Sequence, residues 1–341
     1  MPRYSPSPAY RDSGPYPVGV LLVNSGTPDS LTAGGIRSFL RRLLRDRRTI
    51  EVSRAIWCWI LYFIILPLRP IRVVPKYRRV WTERGSPLLL ISRELRERLE
   101  QTLSAGRQTP VAVELGMLYS TPDVAAGLRA LRERGAQRVL VLPLFPQYSA
   151  TTNAAAYDQV GKALRDWRFV PELRYVLDYH AEPAYLDAVA ASLRDWRAAH
   201  GSGGHLLFSF HGIPAQYVAD GDPYERKCHA TAGAVAARLG LAATEWSISF
   251  QSRVGTAKWV GPYTDDVVAR LAQQGVRRLD VACPGFAVDC LETIDEMGVE
   301  AAETFRHHGG ETLRYIPALN ASPAQVEMLA GLVAAHAGPL P

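Results

Sequence analysis

The sequence predicts a parallel α/β protein made of two similar lobes, each a four-stranded sheet flanked by helices. Three observations carry this. Short apolar runs alternate with amphipathic helical stretches, the pattern of parallel strands joined by crossover helices. The second half of the chain repeats the first at a fixed offset of 140 residues. The length, 341 residues, fits two domains of ordinary size.

The runs that read as buried strands are Pro17–Asn24, Val111–Met117, Arg138–Leu144 and Leu173–Leu177 in the first half. In the second half they are His205–Phe210, Trp246–Phe250, Arg278–Cys283 and Leu313–Ile316. Amphipathic stretches such as Val124–Arg134 and Asp265–Gln274 separate them. In such an architecture crossovers are right-handed, and ligands gather at the carboxyl ends of the strands.

The repeat pairs Gly135 with Gly275, Arg138 with Arg278 and Val141 with Val281. It continues through Arg174-Tyr175 against Arg314-Tyr315, then Ala181, Pro183 and Ala184 against Ala321, Pro323 and Ala324. A constant offset across strand, turn and helix start implies two like lobes with a cleft between them. Pro183 and Pro323 should each open a helix just after a lobe's last strand. The expected organisation is a loose tail over residues 1–16, one lobe over 17–180 and a second over 181–341, the terminal helices packing back across the lobes.

Composition is that of an ordinary globular protein, 48% hydrophobic and 21% charged. The net charge of +6 leans towards anionic partners without naming one. Basic residues are scattered, and no nucleic-acid module is recognisable, so no nucleic-acid partner is expected. The four cysteines, Cys58, Cys228, Cys283 and Cys290, make no C-x-x-C pair. That argues against a disulfide framework or a structural zinc site and suits a reducing cytoplasm. The Pro-, Ser- and Tyr-rich N-terminus has no apolar signal core.

Residues 55–66 form an uncharged run of twelve, closed by Pro67. Twelve is short of the ~20 needed to cross a bilayer. The run reads two ways. Length favours a buried helix. Trp57, Trp59 and Tyr62, flanked by Arg54, Arg69, Arg72, Lys76, Arg78 and Arg79, favour an apolar lip touching a membrane or an apolar substrate.

Two strand ends carry candidate chemistry. Apolar residues lead up to His211, and Gly212 and Pro214 follow, so the imidazole emerges from a buried strand into the strand-end crevice. The other seven histidines are read as structural. After Cys283-Pro284-Gly285-Phe286 come Asp289, Glu292, Asp295 and Glu296, and on a helix Asp289, Glu292 and Glu296 share a face. Acidic residues favour helix starts, which accounts for Asp289 but less well for Glu292, a turn further in. Clustered carboxylates raise one another's pKa, pass protons and bind divalent metals. There is no G-x-S-x-G elbow, G-x-G-x-x-G or Walker loop, which disfavours a hydrolase or a nucleotide enzyme. Metal handling or proton transfer remains.

Several segments resemble the ferrochelatase family. They are Val20-Leu21-Leu22-Val23-Asn24-Ser25-Gly26-Thr27-Pro28, Leu142-Pro143-Leu144-Phe145-Pro146-Gln147-Tyr148-Ser149 and Ser209-Phe210-His211-Gly212-Ile213-Pro214 with Gly221-Asp222-Pro223-Tyr224. Ser249-Phe250-Gln251-Ser252-Arg253-Val254-Gly255 with Trp259, and Cys283 through Thr293, complete the set. The likeness runs in order from about residue 17 to 320 and is closest to bacterial members.

The resemblance implies a chelatase-like fold of two Rossmann-like lobes and an enzyme that inserts Fe²⁺ into protoporphyrin IX. It implies His211 and Glu292 as the catalytic and metal-site pair, with Asp289 supporting them. Ser25, Arg79, Tyr119, Ser252, Trp259 and Phe286 would contact the porphyrin, Arg79 through a propionate. Fe²⁺ enters as the substrate metal. No cysteine follows Cys290, so no iron–sulfur cluster of the kind some relatives carry near the C-terminus is expected. Ser25 stands where many relatives carry a larger apolar residue, and Leu118 where some carry arginine. The expected location is the cytoplasm, peripheral to the inner face of the membrane through residues 55–66, with transient contact to the preceding haem-pathway enzyme. The rival readings are a cobalt or sirohydrochlorin chelatase of the same fold and a non-catalytic tetrapyrrole carrier.

Overall fold

The computed structural model describes residue 4 and residues 16–106, 111–201 and 204–338. Most of the expected tail over residues 1–16 lies outside the described residues. Two compact units emerge. The first comprises Met1–Leu144, Ala150–Asp178 and Ala321–Pro341; the second comprises Phe145–Ser149 and Tyr179–Asn320.

All eight expected strands form. In the first unit they are β1 (Val18–Asn24), β2 (Ala112–Met117), β3 (Arg138–Pro143) and β4 (Glu172–Tyr175), in the order β2-β1-β3-β4. In the second they are β5 (His205–His211), β6 (Trp246–Gln251), β7 (Arg278–Ala282) and β8 (Thr312–Ile316), in the order β6-β5-β7-β8. Every pairing is parallel. The central strands β1 and β5 are almost wholly buried, because helices cover both faces of a parallel sheet.

The repeat extends further than the sequence comparison reaches. Helices Val124–Glu133 and Thr264–Gln273 begin 140 residues apart, as do β3 and β7. Helices Pro183–His200 and Pro323–His336 each open on proline, which lacks the N–H that a first helical turn leaves unpaired. Helix Pro183–His200 belongs to the second unit although it follows β4, and Pro323–His336 belongs to the first although it follows β8.

The apolar run lies within a longer helical segment, Arg54–Val80, long and apolar enough to cross a membrane by length and composition. The buried-core reading of residues 55–66 does not hold. Leu61 and Leu66 face inward, whereas Ile56, Trp59, Tyr62, Phe63, Ile64, Leu68 and Ile71 are exposed, Phe63 at 70%. Two bonds pin the inward side. Trp57 Nε1 donates at 2.6 Å to the Leu44 carbonyl, one of the unpaired carbonyls ending helix Ala33–Leu44. Arg37 Nε donates at 3.0 Å to the Leu66 carbonyl. That carbonyl's α-helical partner would be the N–H of residue 70, which is proline and has none.

Candidate active site

The polar ends of β5 and β6 build the site in the second unit. His211 closes β5 in register with Gln251. It is half-buried, and its Nδ1 lies 2.7 Å from the Gly212 carbonyl oxygen. A carbonyl only accepts, so Nδ1 carries a proton, and Nε2 is the ring nitrogen left to accept one. Glycine is needed at 212, because a Cβ there would lie 3.0 Å from the Gln251 carbonyl and 3.2 Å from the Trp259 ring. The half-buried Trp259 is itself fixed by Nε1 donating to Val254 O at 2.9 Å.

Gln251 joins strand to helix. Its Oε1 accepts from Ser209 Oγ at 2.8 Å, and its Nε2 donates to the Glu292 carbonyl at 2.7 Å. Glu292 is the first residue of a π-helix, Glu292–Glu300, whose i→i+5 bonding marks a local widening common at functional sites. Ser252 completes the link. It adopts φ 65°, a left-handed conformation that costs a non-glycine residue about 1 kcal/mol. In that pose its N–H donates to Glu296 Oε1 at 2.7 Å and its Oγ to Glu296 Oε2 at 2.6 Å.

His211, Glu292 and Glu296 therefore form one electrostatic group. Burial pushes the Glu296 carboxyl above the ordinary carboxylate range; the Ser252 hydroxyl and the His211 charge pull it down, and Glu292 pushes it up. Burial raises the Cys283 and Cys290 thiols well above the usual range, with Asp289 and Glu296 adding at Cys283 and Glu292 at Cys290. Both stay protonated at neutral pH, which leaves imidazole and carboxylate as the available donors.

Asp289 requires a correction. The sequence pattern sets it on one helical face with Glu292 and Glu296, but it precedes the helix in a loop. Its carboxylate accepts from Thr293 Oγ1 at 2.9 Å, Tyr315 Oη at 2.5 Å and Asn320 Nδ2 at 2.7 Å. It anchors the start of the π-helix to the end of β8. Phe286 is half-buried and packs on the core of the second unit.

The remaining expected contact residues lie in the first unit. Ser25 follows β1, its N–H donating to Asn24 Oδ1 at 2.8 Å. Tyr119 donates its N–H to the Ser25 carbonyl at 3.0 Å. The Tyr119 ring, expected along the substrate, is instead buried at 3% exposure. Its hydroxyl donates to Asp46 Oδ2 at 3.1 Å and lies 3.3 Å from Thr49 Oγ1. Burial and the Asp46 charge drive its pKa upward, so it stays a neutral phenol. Arg79 is exposed in the last turn of helix Leu66–Val80.

Gln251 is the group the sequence reading does not single out, and Glu296, though named on the acidic face, is given no role of its own there. The signals exist: Gln251 is a polar residue at a strand end, and Glu296 lies four residues beyond Glu292. Neither says that one amide would tie the two elements together.

The model of the Ferrochelatase family matches residues 17–337. The chain belongs to the ferrochelatase family. It is 50% identical over 331 residues to the ferrochelatase of Thioalkalivibrio sulfidiphilus, covering 97% of this chain and 90% of that one. To the ferrochelatase of Aeromonas hydrophila it is 47% identical over 315 residues, covering 92% and 97%. The solved structure of SirB from Bacillus subtilis with Fe3+ is similar at a TM-score of 0.55, covering 93% of this chain and 94% of that one. At 12% identity that likeness is one of fold alone. Membership in the ferrochelatase family makes the protein a metal-inserting lyase.

Proposed function

We propose that His211 and Glu292 carry the insertion chemistry, with Glu296 as the adjoining carboxylate and Asp289 as a positioning residue. The reaction is insertion of Fe²⁺ into protoporphyrin IX, giving protohaem and releasing two protons. The observation that carries the residue assignment is the link from His211 through the paired Gln251 to Glu292, with Glu296 held alongside by Ser252.

Two pyrrole N–H bonds must break while Fe²⁺ takes up four nitrogens. In a flat macrocycle those nitrogens lie in the plane, so binding has to bend the ring part-way to the transition state. Trp259 and Phe286 supply apolar wall. The lone pair on His211 Nε2 accepts the two pyrrole protons in turn, and the carboxylates of Glu292 and Glu296 stabilise the imidazolium and pass each proton on to solvent. The same imidazole and carboxylate are suited to hold Fe²⁺ transiently before transfer.

The exposed apolar face of Arg54–Val80, with its arginines, supports a second reading: peripheral contact with the inner face of the cytoplasmic membrane, where an apolar substrate and a membrane-held preceding enzyme would meet the protein.

Anaerobic mixing with protoporphyrin IX and Fe²⁺, followed by absorbance, tests the reaction. Haem formation, with no comparable turnover of sirohydrochlorin, is expected. Porphyrin binding without insertion would favour the carrier instead.

A further inference from the structure

A cavity of about 560 Å³ lies between helix Ala33–Leu44 and the apolar segment, lined by Gly34, Arg37, Ser38, Arg41, Tyr62, Leu66 and Pro67. Arg37 and Arg41 are one helical turn apart on the same face. Their charge is uncommitted. Of its guanidinium Arg37 uses only Nε, on the Leu66 carbonyl, and among the described residues the Arg41 guanidinium makes no hydrogen bond or ion pair. Gly34 keeps the space open: a Cβ there would meet only Thr32 Oγ1, at 3.8 Å. On the same segment Phe63, Ile64, Leu68 and Ile71 stand exposed.

We propose that this cavity is a binding site for the phosphate of an anionic phospholipid headgroup, engaged while the exposed apolar face enters the acyl layer of the same bilayer. The proposal rests on the membrane-contact reading and assigns it a specific site. The charge complementarity is direct. Two guanidiniums offer forked donors that match phosphate oxygens, and the Tyr62 hydroxyl adds another donor at the rim. An interfacial element needs cations at headgroup depth and apolar side chains below them, and both are present on adjoining surfaces here. A soluble anion would require only the cations and would leave Phe63 and Ile71 without purpose.

Co-sedimentation of the full chain with phosphatidylglycerol vesicles and with phosphatidylcholine vesicles tests this. The parent should bind the anionic vesicles and bind the zwitterionic ones weakly. Arg41→Gln should weaken anionic binding about fivefold. Gly34→Leu fills the cavity without altering charge, replaces a poor helix former with a good one and should weaken binding comparably. Arg278→Gln, at the start of β7 in the other unit, should leave binding unchanged. Phe63→Ser should reduce binding to both vesicle types. If the parent binds neither, the membrane reading falls and this site with it. If the parent and Gly34→Leu bind anionic vesicles equally, or Arg41→Gln and Arg278→Gln lose the same amount, the pocket is overturned while the membrane reading stands.

Discussion

Ser252 Oγ donates to Glu296 Oε2 at 2.6 Å from a backbone in the left-handed region, so a strained residue just after β6 holds a half-buried carboxylate that feels the charge of His211. The bond favours the ionised form of Glu296 and partly offsets the upward push of burial. Ser252→Ala keeps the backbone N–H bond and removes the hydroxyl. The Glu296 pKa should climb further, and the acid limb of the rate–pH profile should move to higher pH. A profile identical to the parent's would detach Glu296 from turnover.

Glu296 also makes stability depend on pH in a defined direction. Its folded-state pKa is raised, so the folded protein holds this proton more tightly than the unfolded chain. That contribution is fully present below the ordinary value of 4.5 and is lost as pH rises through the folded pKa. The stability of Glu296→Gln relative to the parent should therefore increase with pH across that window and then level off. Urea denaturation of both proteins across the same pH series measures it. A constant difference would contradict the buried-carboxylate assignment.

Gln251 is the tie between strand and π-helix. Gln251→Leu removes a donor to the Glu292 carbonyl and one of the two partners of Ser209 Oγ, which keeps Thr264 Oγ1, at a cost of about 1 kcal/mol. Insertion by the folded variant should slow while porphyrin affinity changes little, because Glu292 loses its register and the apolar walls do not. Measured separately, kcat and KM distinguish this from general loosening, which would move both.

In the middle of β7 lies an ion cluster whose role is structural. Asp280 is fully buried; Arg314 Nη2 approaches its Oδ1 at 2.6 Å and Arg197 Nε its Oδ2 at 3.0 Å. Asp280→Ala leaves two guanidiniums facing each other and should cost about 3 kcal/mol in denaturant unfolding. Turnover of the remaining folded protein should stay at the parent's level.

Much of this was legible in the sequence for a physical reason. Buried parallel strands require unbroken apolar runs, and helix starts after β4 and β8 are marked by Pro183 and Pro323. The doubled lobe was legible because the offset holds across elements of different kinds. His211 stood out as an imidazole closing an apolar strand. The acidic segment was legible in composition but not in geometry, since carboxylate spacing assumes α-helical periodicity and the chain forms a π-helix there. Asp289 falls off that face for a different reason: it lies in the loop before the helix, where no helical spacing applies. The hydroxyl bond of Tyr119 is not legible, because a tyrosine following a strand carries no sign of where its hydroxyl is taken, and Asp46 lies 73 residues away. The outward face of Arg54–Val80 is not legible, because which side of an apolar helix is covered depends on bonds from distant residues, Trp57 to the Leu44 carbonyl and Arg37 to the Leu66 carbonyl.

The insertion rate of His211→Ala, measured anaerobically with protoporphyrin IX and Fe²⁺ beside porphyrin-fluorescence titration of the same protein, tests the central assignment most directly. Loss of the proton acceptor should lower the rate by at least about a hundredfold with porphyrin still bound. Turnover at the parent's rate would contradict the assignment of the imidazole at the end of β5 as the group that receives the pyrrole proton.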